Sequence, residues 1–280
     1  MPYFPSHDDT RLFFTDWGDR AAPPVLFAHA WGLDSGMWGA QVAALVDAGY
    51  RCVTYDRRGH GRSDVPGHGY DLDTLADDLG ALVAHLDLSD VLLVAHSMGT
   101  AEVVRHLARH GTGHARGVLL SGAVTPMAVR TDDNPHGVDE AVFAAARDAM
   151  RADIGAWVDA TSSREYFGTN RDVSASLTEW ARRRIVDTPL HVLVTTQREF
   201  TRADQRAELA ALSLPMLVLH GTADTSAPLE LTGRPTAALA PGARLVALDG
   251  AGHGLYISES MRYNAELLAF ARETAAVARR

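Results

Sequence analysis

The sequence predicts an α/β protein with a mostly parallel, twisted sheet, helices on both faces of that sheet and a helical cap. Apolar runs typical of buried strands alternate with amphipathic helical patterns through residues 1–122 and again through residues 214–280. Residues 123–213 interrupt this alternation with helical patterns, and only 190–195 could form a strand there. We therefore predict a core domain from 1–122 and 214–280. Residues 123–213 would form a cap insertion over the carboxyl edge of the sheet, where ligands bind in open α/β sheets.

Each predicted element follows from a local pattern in the sequence. The predicted strands are 11–17, 24–29, 50–56, a run that begins at 91, 116–121, 216–220 and 244–248. The predicted helices are 37–48, 72–86, a helix directly after Ser97, 229–239 and a last helix from Glu259. Because strands that alternate with helices pair in parallel, their carboxyl ends should meet at one edge of the sheet.

Ser97 stands where a predicted strand turns into a predicted helix, within the sequence Ala-His-Ser-Met-Gly of residues 95–99. Small residues two positions before and after the serine allow a tight turn. Such a turn lifts the hydroxyl clear of the sheet and places it at the positive end of a helix. The usual form of this elbow is G-x-S-x-G, and Ala95 replaces its first glycine. We predict that Ser97 is a catalytic nucleophile.

A serine hydroxyl needs a base to act as a nucleophile, and the base needs an acid that orients it. Asp224 and His253 follow the last two predicted strands, and His253 lies in a glycine-rich loop. Both residues should therefore reach the same sheet edge as Ser97, in the chain order serine, acid, histidine. We predict His253 as the catalytic base and Asp224 as the orienting acid, with Asp249 as the alternative acid.

The negative oxygen of a tetrahedral intermediate needs N–H donors that are already in position. The backbone N–H of Met98, directly after the nucleophile, is the first predicted donor. The loop that follows the strand 24–29 should supply the second, and we predict the N–H of Trp31. Trp31 and Met98 are therefore the predicted substrate-binding residues.

Several other residues invite a functional interpretation, but a structural one is preferred. His96 adjoins the nucleophile, yet the elbow directs neighbouring side chains apart, so we predict that it packs below the turn. His106, His110 and His114 have four-residue spacing without an accompanying carboxylate pattern, so no metal site is predicted. The turn at Gly59 lacks the third glycine of a dinucleotide fingerprint and is predicted to be a structural loop. Three aromatic residues should form the cap core, at least one of them lining the pocket: Trp157, Phe167 and Trp180.

The composition excludes several classes of function. The net charge of −9 is opposite to the basic surface that nucleic-acid binding needs, and no run of about 18 apolar residues could span a membrane. The chain contains no lysine. This excludes P-loop NTPases, Schiff-base enzymes, including those that use pyridoxal phosphate, and serine–lysine dyads.

The chain is predicted to be cytoplasmic. Its first residues lack the basic and apolar regions of a signal peptide, and the single cysteine, Cys52, falls in a predicted buried strand. We expect a small-molecule acyl substrate and no cofactor, metal, nucleic-acid or membrane partner.

These residues resemble those of the α/β-hydrolases grouped as cofactor-free bacterial haloperoxidases and aryl esterases. The matching stretches are 29–31, 56–63, 70–79, 95–99, 109–111, 124–126 and 220–221, within a resemblance that covers nearly the whole chain. The resemblance implies the α/β-hydrolase fold and a triad at Ser97, Asp224 and His253. It also implies oxyanion donors at Trp31 and Met98. Relatives often assemble as homo-oligomers, so a homo-oligomer is one alternative for this chain.

The predicted function is that of a serine hydrolase acting on a carboxylic ester or lactone through an acyl-serine intermediate. The resemblance implies an alternative, a haloperoxidase or perhydrolase, in which peroxide takes the acyl group and the peracid oxidises halide. A non-catalytic small-molecule receptor on the same scaffold is the third alternative. Departures from the family are Ala30 for glycine, Gly32 where proline is frequent, and Thr100 where glycine is common. The first two bear directly on how acyl groups and peroxide fit.

Overall fold

The computed structural model describes residues 2–161, 164–169 and 173–277. Residues 162–163 and 170–172 of the predicted cap lie outside the described residues, and so do residues 1 and 278–280. No helix within the described ranges is long and apolar enough to cross a membrane.

Among the described residues, an eight-stranded sheet forms the centre of the fold. Its strands are β1 (Tyr3–Pro5), β2 (Arg11–Trp17), β3 (Pro24–Ala28), β4 (Arg51–Tyr55), β5 (Val91–His96), β6 (Ala115–Ser121), β7 (Met216–Gly221) and β8 (Arg244–Leu248). Their order across the sheet is β1-β2-β4-β3-β5-β6-β7-β8. The pairs β1–β2 and β2–β4 are antiparallel, and all the other pairs are parallel. The predicted fold class is confirmed, and the carboxyl ends of β3, β5, β7 and β8 meet at one edge.

Helices cover both faces of the sheet. Those of the core are α1 (Gly39–Asp47), α2 (Leu72–His85), α3 (Met98–His110), α9 (Gly233–Leu239), α10 (Leu255–Ser258) and α11 (Ser260–Val277). Alternate residues of β5 face opposite sides: Leu93 and Ala95 pack towards α2 and α3, whereas Leu92 and Val94 pack towards α1 and α11. A strand buried on both faces explains the continuous apolar run that predicted it.

The segment between β6 and β7 is helical, as predicted for the cap. Its α-helices are α4 (Glu140–Ala152), α5 (Ile154–Thr161), α6 (Ala175–Asp187), α7 (Leu190–Arg202) and α8 (Arg206–Ala211). The domain boundaries at 122 and 213 stay a prediction, since β6 and β7 only bracket them.

The possible strand at 190–195 is wrong, because these residues form the start of the thirteen-residue helix α7. Pro189 directly precedes the helix, a position that suits a residue with a fixed φ and no N–H to donate. Val192 is buried against Gly59, where a Cβ would lie 2.7 Å from the valine methyl groups. Tertiary packing of one helical face therefore overrides the strand preference of the β-branched residues in this run.

Other differences from the predicted elements are small. β1 was not predicted, because a strand of three residues is too short to show a hydrophobic period in the sequence. The helix predicted at 37–48 begins as a short 3₁₀ helix, Ser35–Trp38, which continues into α1. The helix predicted at 229–239 is confined to α9, and the last helix is preceded by the single turn α10.

Candidate active site

Ser97 forms the turn between β5 and α3, with φ +54° and ψ −124°. A positive φ is uncommon for a residue with a side chain and indicates a strained turn. Gly99 packs tightly on the end of β3, where a Cβ would lie 2.5 Å from the carbonyl oxygen of Ala28 and 2.9 Å from that of His29. The elbow therefore holds Ser97 at the N-terminus of α3 and beside the loop that follows β3.

The structure brings the three predicted catalytic residues together. Nε2 of His253 lies 2.9 Å from the hydroxyl oxygen of Ser97. Nδ1 of the same ring lies 2.7 Å from Oδ2 of Asp224. The three side chains are buried and come from the loops after β5, β7 and β8. This hydrogen-bonded series can move a proton from the hydroxyl to the imidazole while the carboxylate stabilises the charge that forms.

Asp224 is held as a carboxylate by its surroundings. Its Oδ1 accepts the backbone N–H groups of Ser226 at 2.9 Å and Ala227 at 2.8 Å. Burial raises the pKa of Asp224, but the charges and hydrogen bonds of His253 and His220 outweigh it and leave the pKa well below its usual range. Asp224 is therefore ionised in the folded protein near neutral pH.

His220 is a contact of the site that the sequence prediction missed. Its Nε2 lies 2.7 Å from the carbonyl oxygen of Ala227 and 3.3 Å from Oδ2 of Asp224. The signal available in the sequence was its place at the end of a strand four residues before the acid. His220 thus contacts the same carboxylate oxygen, Oδ2 of Asp224, as His253 does.

Asp249, the alternative acid, occupies a different position. It is exposed, and its Oδ1 accepts the hydroxyl of Thr222 at 3.3 Å. The acid that contacts Nδ1 of His253 is Asp224. The geometry therefore favours Asp224 for the orienting role.

Trp31 and Met98, the predicted oxyanion donors, lie on neighbouring loops. Ala28 at the end of β3 is paired with Ala95 near the end of β5, so the two loops leave the sheet side by side. Among the described residues, no backbone or side-chain acceptor takes the backbone N–H of Trp31 or Met98. Both N–H groups are therefore available to an oxyanion next to Ser97.

His96 lies beside the imidazole of His253. The His96 ring is fully buried, with its centroid 4.9 Å from that of His253, and its Nδ1 lies 3.0 Å from the hydroxyl of Ser121. Burial and the nearby His253 lower the pKa of His96 well below its usual value, so the ring is neutral. The packing role predicted for His96 agrees with this position below the turn.

The side chain of Trp31 joins the loop after β3 to the cap. Its indole N–H donates to the carbonyl oxygen of Leu193 in α7 at 2.9 Å, and its ring contacts Trp157 edge-on at a centroid distance of 5.5 Å. The side chains of Trp31 and Met98 also belong to one apolar cluster. Its members are Leu72, Leu75, Met98 and Ala101, with Trp31, Val124, Phe200 and Ala203 packed against them.

A cap segment at 166–169 is bonded through its backbone to the loop that carries His253. The N–H of Gly254 donates to the carbonyl oxygen of Tyr166 at 2.7 Å, and that of Gly252 donates to Phe167 at 3.3 Å. The N–H of Thr169 donates in return to Gly250 at 3.1 Å. The cap therefore supports the position of the proposed catalytic base.

The three predicted cap aromatic residues lie at the contact between cap and core. Trp157 packs on Trp31, and Phe167 is buried on the loop that carries His253. Trp180 packs against the apolar cluster on the α1 side of the sheet. All three therefore dock the cap onto the core.

The three histidines near the end of α3 form a local cluster. Nε2 of His106 lies 2.9 Å from Nε2 of His114, and the ring of His110 stacks on His106 while its Nε2 contacts Asp77 at 2.8 Å. Within the described part of the chain, no group of three or more ligating side chains is placed to hold a metal ion. The contacts of the cluster are hydrogen bonds and ring stacking.

Two departures from the family pattern lie at the predicted oxyanion hole. Gly32 has φ +67°, which proline cannot adopt, and its carbonyl accepts the hydroxyl of Thr188 at 3.3 Å. The hydroxyl of Thr100 donates to the carbonyl oxygen of Ser97 at 2.6 Å and accepts the N–H of Val124 at 3.2 Å. Gly32 and Thr100 each form these hydrogen bonds within two residues of a predicted oxyanion donor.

Comparisons with known proteins agree with this arrangement. The model of the alpha/beta hydrolase fold family matches residues 23–260. The chain is 36% identical over 274 residues to a non-heme haloperoxidase from Rhodococcus erythropolis, and this alignment covers 96% of this chain and 99% of the relative. It is 32% identical, over an aligned length of 281 residues, to a bifunctional esterase/perhydrolase from Acinetobacter calcoaceticus, with 97% and 100% covered. The solved structure of an esterase from Exiguobacterium antarcticum matches with a TM-score of 0.91 at 26% identity, covering 96% of this chain and 98% of that one.

Proposed function

The chain belongs to the alpha/beta hydrolase fold family, and from this premise we propose that it is a serine hydrolase that cleaves a carboxylic ester or lactone. The family predicted from the sequence motifs is confirmed by these matches. The observation that carries the proposal is the hydrogen-bonded series from Ser97 through His253 to Asp224. An esterase of 26% identity and nearly the same fold supports the same reaction class.

In the proposed acylation step, the hydroxyl oxygen of Ser97 attacks the carbonyl carbon of the substrate while Nε2 of His253 takes the hydroxyl proton. The electron pair of the C=O bond moves to its oxygen, and the N–H groups of Trp31 and Met98 stabilise the resulting oxyanion. Asp224 stabilises the imidazolium and keeps Nδ1 protonated. The C–O bond to the leaving alcohol then breaks, and His253 returns the proton to that alcohol.

Deacylation runs through the same groups. Water attacks the acyl-serine carbonyl and gives a proton to His253, the second tetrahedral intermediate collapses, and Ser97 regains its hydroxyl proton as the carboxylic acid leaves. For a lactone, the alcohol and the acid stay on one molecule. Both substrate classes therefore need the same residues in the same roles.

The test combines a serine-directed probe with an ester assay. We expect a fluorophosphonate to label the wild-type protein once, and p-nitrophenyl acetate to be hydrolysed. Ser97→Ala should abolish labelling and lower kcat by at least about 1,000-fold, because the nucleophile is lost. Ser174→Ala is the control, since that hydroxyl is an exposed cap of α6. Turnover by Ser97→Ala within about tenfold of wild type would overturn the mechanism.

Perhydrolysis is the second candidate, favoured by the haloperoxidase and esterase/perhydrolase relatives. Hydrogen peroxide would take the place of water, attack the acyl-serine and leave as a peracid, while Ser97 regains its proton. The peracid would then oxidise halide and become the carboxylic acid again. Gly32 has a φ of +67°, a backbone conformation that the proline frequent at this position in peroxidase-like relatives cannot adopt. Because the loop next to the proposed oxyanion donor differs in this way, we propose that hydrolysis dominates over perhydrolysis in this chain. Comparable rates of peracid formation in acetate with peroxide and of ester hydrolysis would contradict this.

We also propose that the protein acts in the cytoplasm on a small acyl substrate, without nucleic-acid or membrane partners. Its charge of −9 supports this, as does its single cysteine, Cys52, a buried free thiol whose pKa is raised to about 12 by burial and the charge of Asp16. Homo-oligomer formation stays an alternative. Cell fractionation tests the proposed location, and sedimentation velocity tests whether the protein forms a homo-oligomer.

A further inference from the structure

Arg57 and Glu102 form an ion pair inside the core, below the proposed oxyanion site. Both side chains are fully buried, and Nε of Arg57 lies 2.6 Å from Oε2 of Glu102. The other carboxylate oxygen accepts the hydroxyl of Tyr55. Glu102 is on α3, four residues after Met98, so the pair is anchored to the helix that carries one proposed donor.

The same arginine also holds the start of the loop that carries the other donor. An NH2 hydrogen of Arg57 donates to the carbonyl oxygen of His29 at 2.9 Å. The backbone N–H of Arg57 donates to Nε2 of the His29 ring, also at 2.9 Å. His29 is therefore bonded by one residue at its main chain and at its side chain.

These contacts determine which ring nitrogen of His29 carries the proton. Nε2 accepts the backbone N–H of Arg57, so in the neutral ring the proton is on Nδ1, which donates to the carbonyl oxygen of Ala30 at 2.7 Å. NH1 of Arg57 lies 3.2 Å from the same Nδ1, and in this tautomer that approach is a contact between two donors and not a hydrogen bond. Burial and the charge of Arg57 lower the pKa of His29 well below its usual value, which keeps the ring neutral.

The Ala30 carbonyl belongs to the same peptide group as the N–H of Trp31. A trans peptide is planar, so a hydrogen bond that fixes the direction of its C=O also fixes the direction of its N–H. The contacts thus run without a break from Glu102 through Arg57 and His29 to the peptide that offers the proposed oxyanion donor.

We propose that the Arg57–Glu102 pair is a positioning device for the oxyanion hole, acting through His29 on the Ala30–Trp31 peptide. This inference rests on the proposed function. Stability alone is a weak reason for such a pair, because apolar residues of similar volume often stabilise a core as well as or better than a buried ion pair. Positioning gives the buried charges a role that apolar replacements cannot fill.

The test uses Arg57→Lys and the apolar double variant Arg57→Met/Glu102→Leu. A lysine ammonium keeps the charge beside Glu102 but cannot reproduce the forked contact that also reaches the His29 carbonyl. We expect either variant to lower kcat for p-nitrophenyl acetate by about 10- to 100-fold, with KM within about threefold, since misplacing one donor weakens only the transition state. Affinity for a boronic acid that forms a tetrahedral adduct should fall by a similar factor.

Tyr55→Phe is the matched control, because it removes a hydrogen bond to Glu102 and keeps the ring that packs beside His29, with a centroid distance of 6.2 Å. It should lower the melting temperature and leave kcat unchanged. A folded Arg57→Lys or double variant with kcat and boronate affinity within about threefold of wild type would overturn the positioning role. If the double variant does not fold, Arg57→Lys decides. The Ser97→Ala comparison tests the proposed function separately, so an active wild type with an unimpaired Arg57→Lys overturns only this inference.

Discussion

The indole N–H of Trp31 donates to the carbonyl oxygen of Leu193 at 2.9 Å, so the residue that offers a proposed oxyanion donor is also held by the cap. Trp31→Phe keeps an aromatic ring and the backbone N–H but removes this bond. A hydrogen bond of this kind contributes about 1 kcal/mol, and we expect kcat/KM to fall by about fivefold. Steady-state kinetics with p-nitrophenyl acetate measures the effect. Trp157→Phe, which retains ring contact, is the control, and equal losses in both variants would contradict a role for the hydrogen bond.

Asp224→Asn should nearly abolish activity. The amide can no longer stabilise the imidazolium and can donate to Nδ1 of His253, which favours the wrong tautomer, so we expect kcat to fall by about 10⁴-fold. Because the pKa of Asp224 is well below its usual range, the wild-type enzyme should not lose activity through protonation of this carboxylate between pH 5 and pH 8. Asp249→Asn is the control and should retain kcat. Equal losses in the two variants would reject the assignment.

Gly168→Ala should impair catalysis from within the cap. Gly168 has φ +106°, and a Cβ there would collide with the carbonyl oxygen of Gly250 and lie 2.6 Å from the backbone nitrogen of Gly252. We expect the loop that carries His253 to shift and kcat to fall more than tenfold. Gly242→Ala is a matched control, since Gly242 has φ +75° with nothing within 4 Å. Both variants place an alanine at a positive φ, which costs about 1–2 kcal/mol, but only Gly168→Ala crowds the loop that carries His253. Similar kinetics in the two variants would show that this crowding is unimportant.

His106 should make the fold sensitive to mild acid. Burial and, to a lesser extent, the neighbouring His114 and His110 lower the pKa of His106 to about 3. Asp77 and a hydrogen bond to the Ala76 carbonyl act in the opposite direction but are weaker than burial. Below pH 6.5 the unfolded chain therefore binds a proton that the folded chain does not, and the free energy of unfolding falls as the pH falls.

Well below pH 6.5, His106 should lower the free energy of unfolding by about 1.4 kcal/mol for each pH unit of acidification. Urea titrations between pH 6 and pH 4 should give a shallower pH dependence for His106→Gln than for the wild type, by about one proton. The variant should keep some pH dependence of its stability because other histidines are buried too. One of them is His60, and burial and the charge of Arg57 lower its pKa to about 3. An unchanged slope would contradict the linkage.

The predicted catalytic positions could be found from the sequence because each depends on a local pattern. Ser97 directly follows an apolar run, and Asp224 and His253 come three and five residues after the ends of β7 and β8, so parallel strands bring all three to one edge whatever the details of packing. The fold class was confirmed for the same reason. The Arg57–Glu102 pair could not be found this way, because its members are 45 residues apart and nothing local to either shows that a charge is buried.

The cap was harder to predict than the core for a physical reason. In α7 the buried residues include Val192 and Val194, whose branching also suits a strand. Contacts through the backbone, such as those of Tyr166 and Phe167 with the loop after β8, leave no side-chain pattern at all. Only the folded chain shows them.

The backbone bonds between 166–169 and the loop that carries His253 limit how the cap can be exchanged among relatives. A chimera that imports another cap alone breaks main-chain contacts with a residue of the proposed triad, whatever the fit of its side chains. Recombination that transfers both segments together keeps these contacts. The cap and the loop after β8 of this chain should therefore be engineered as a pair rather than as separate modules.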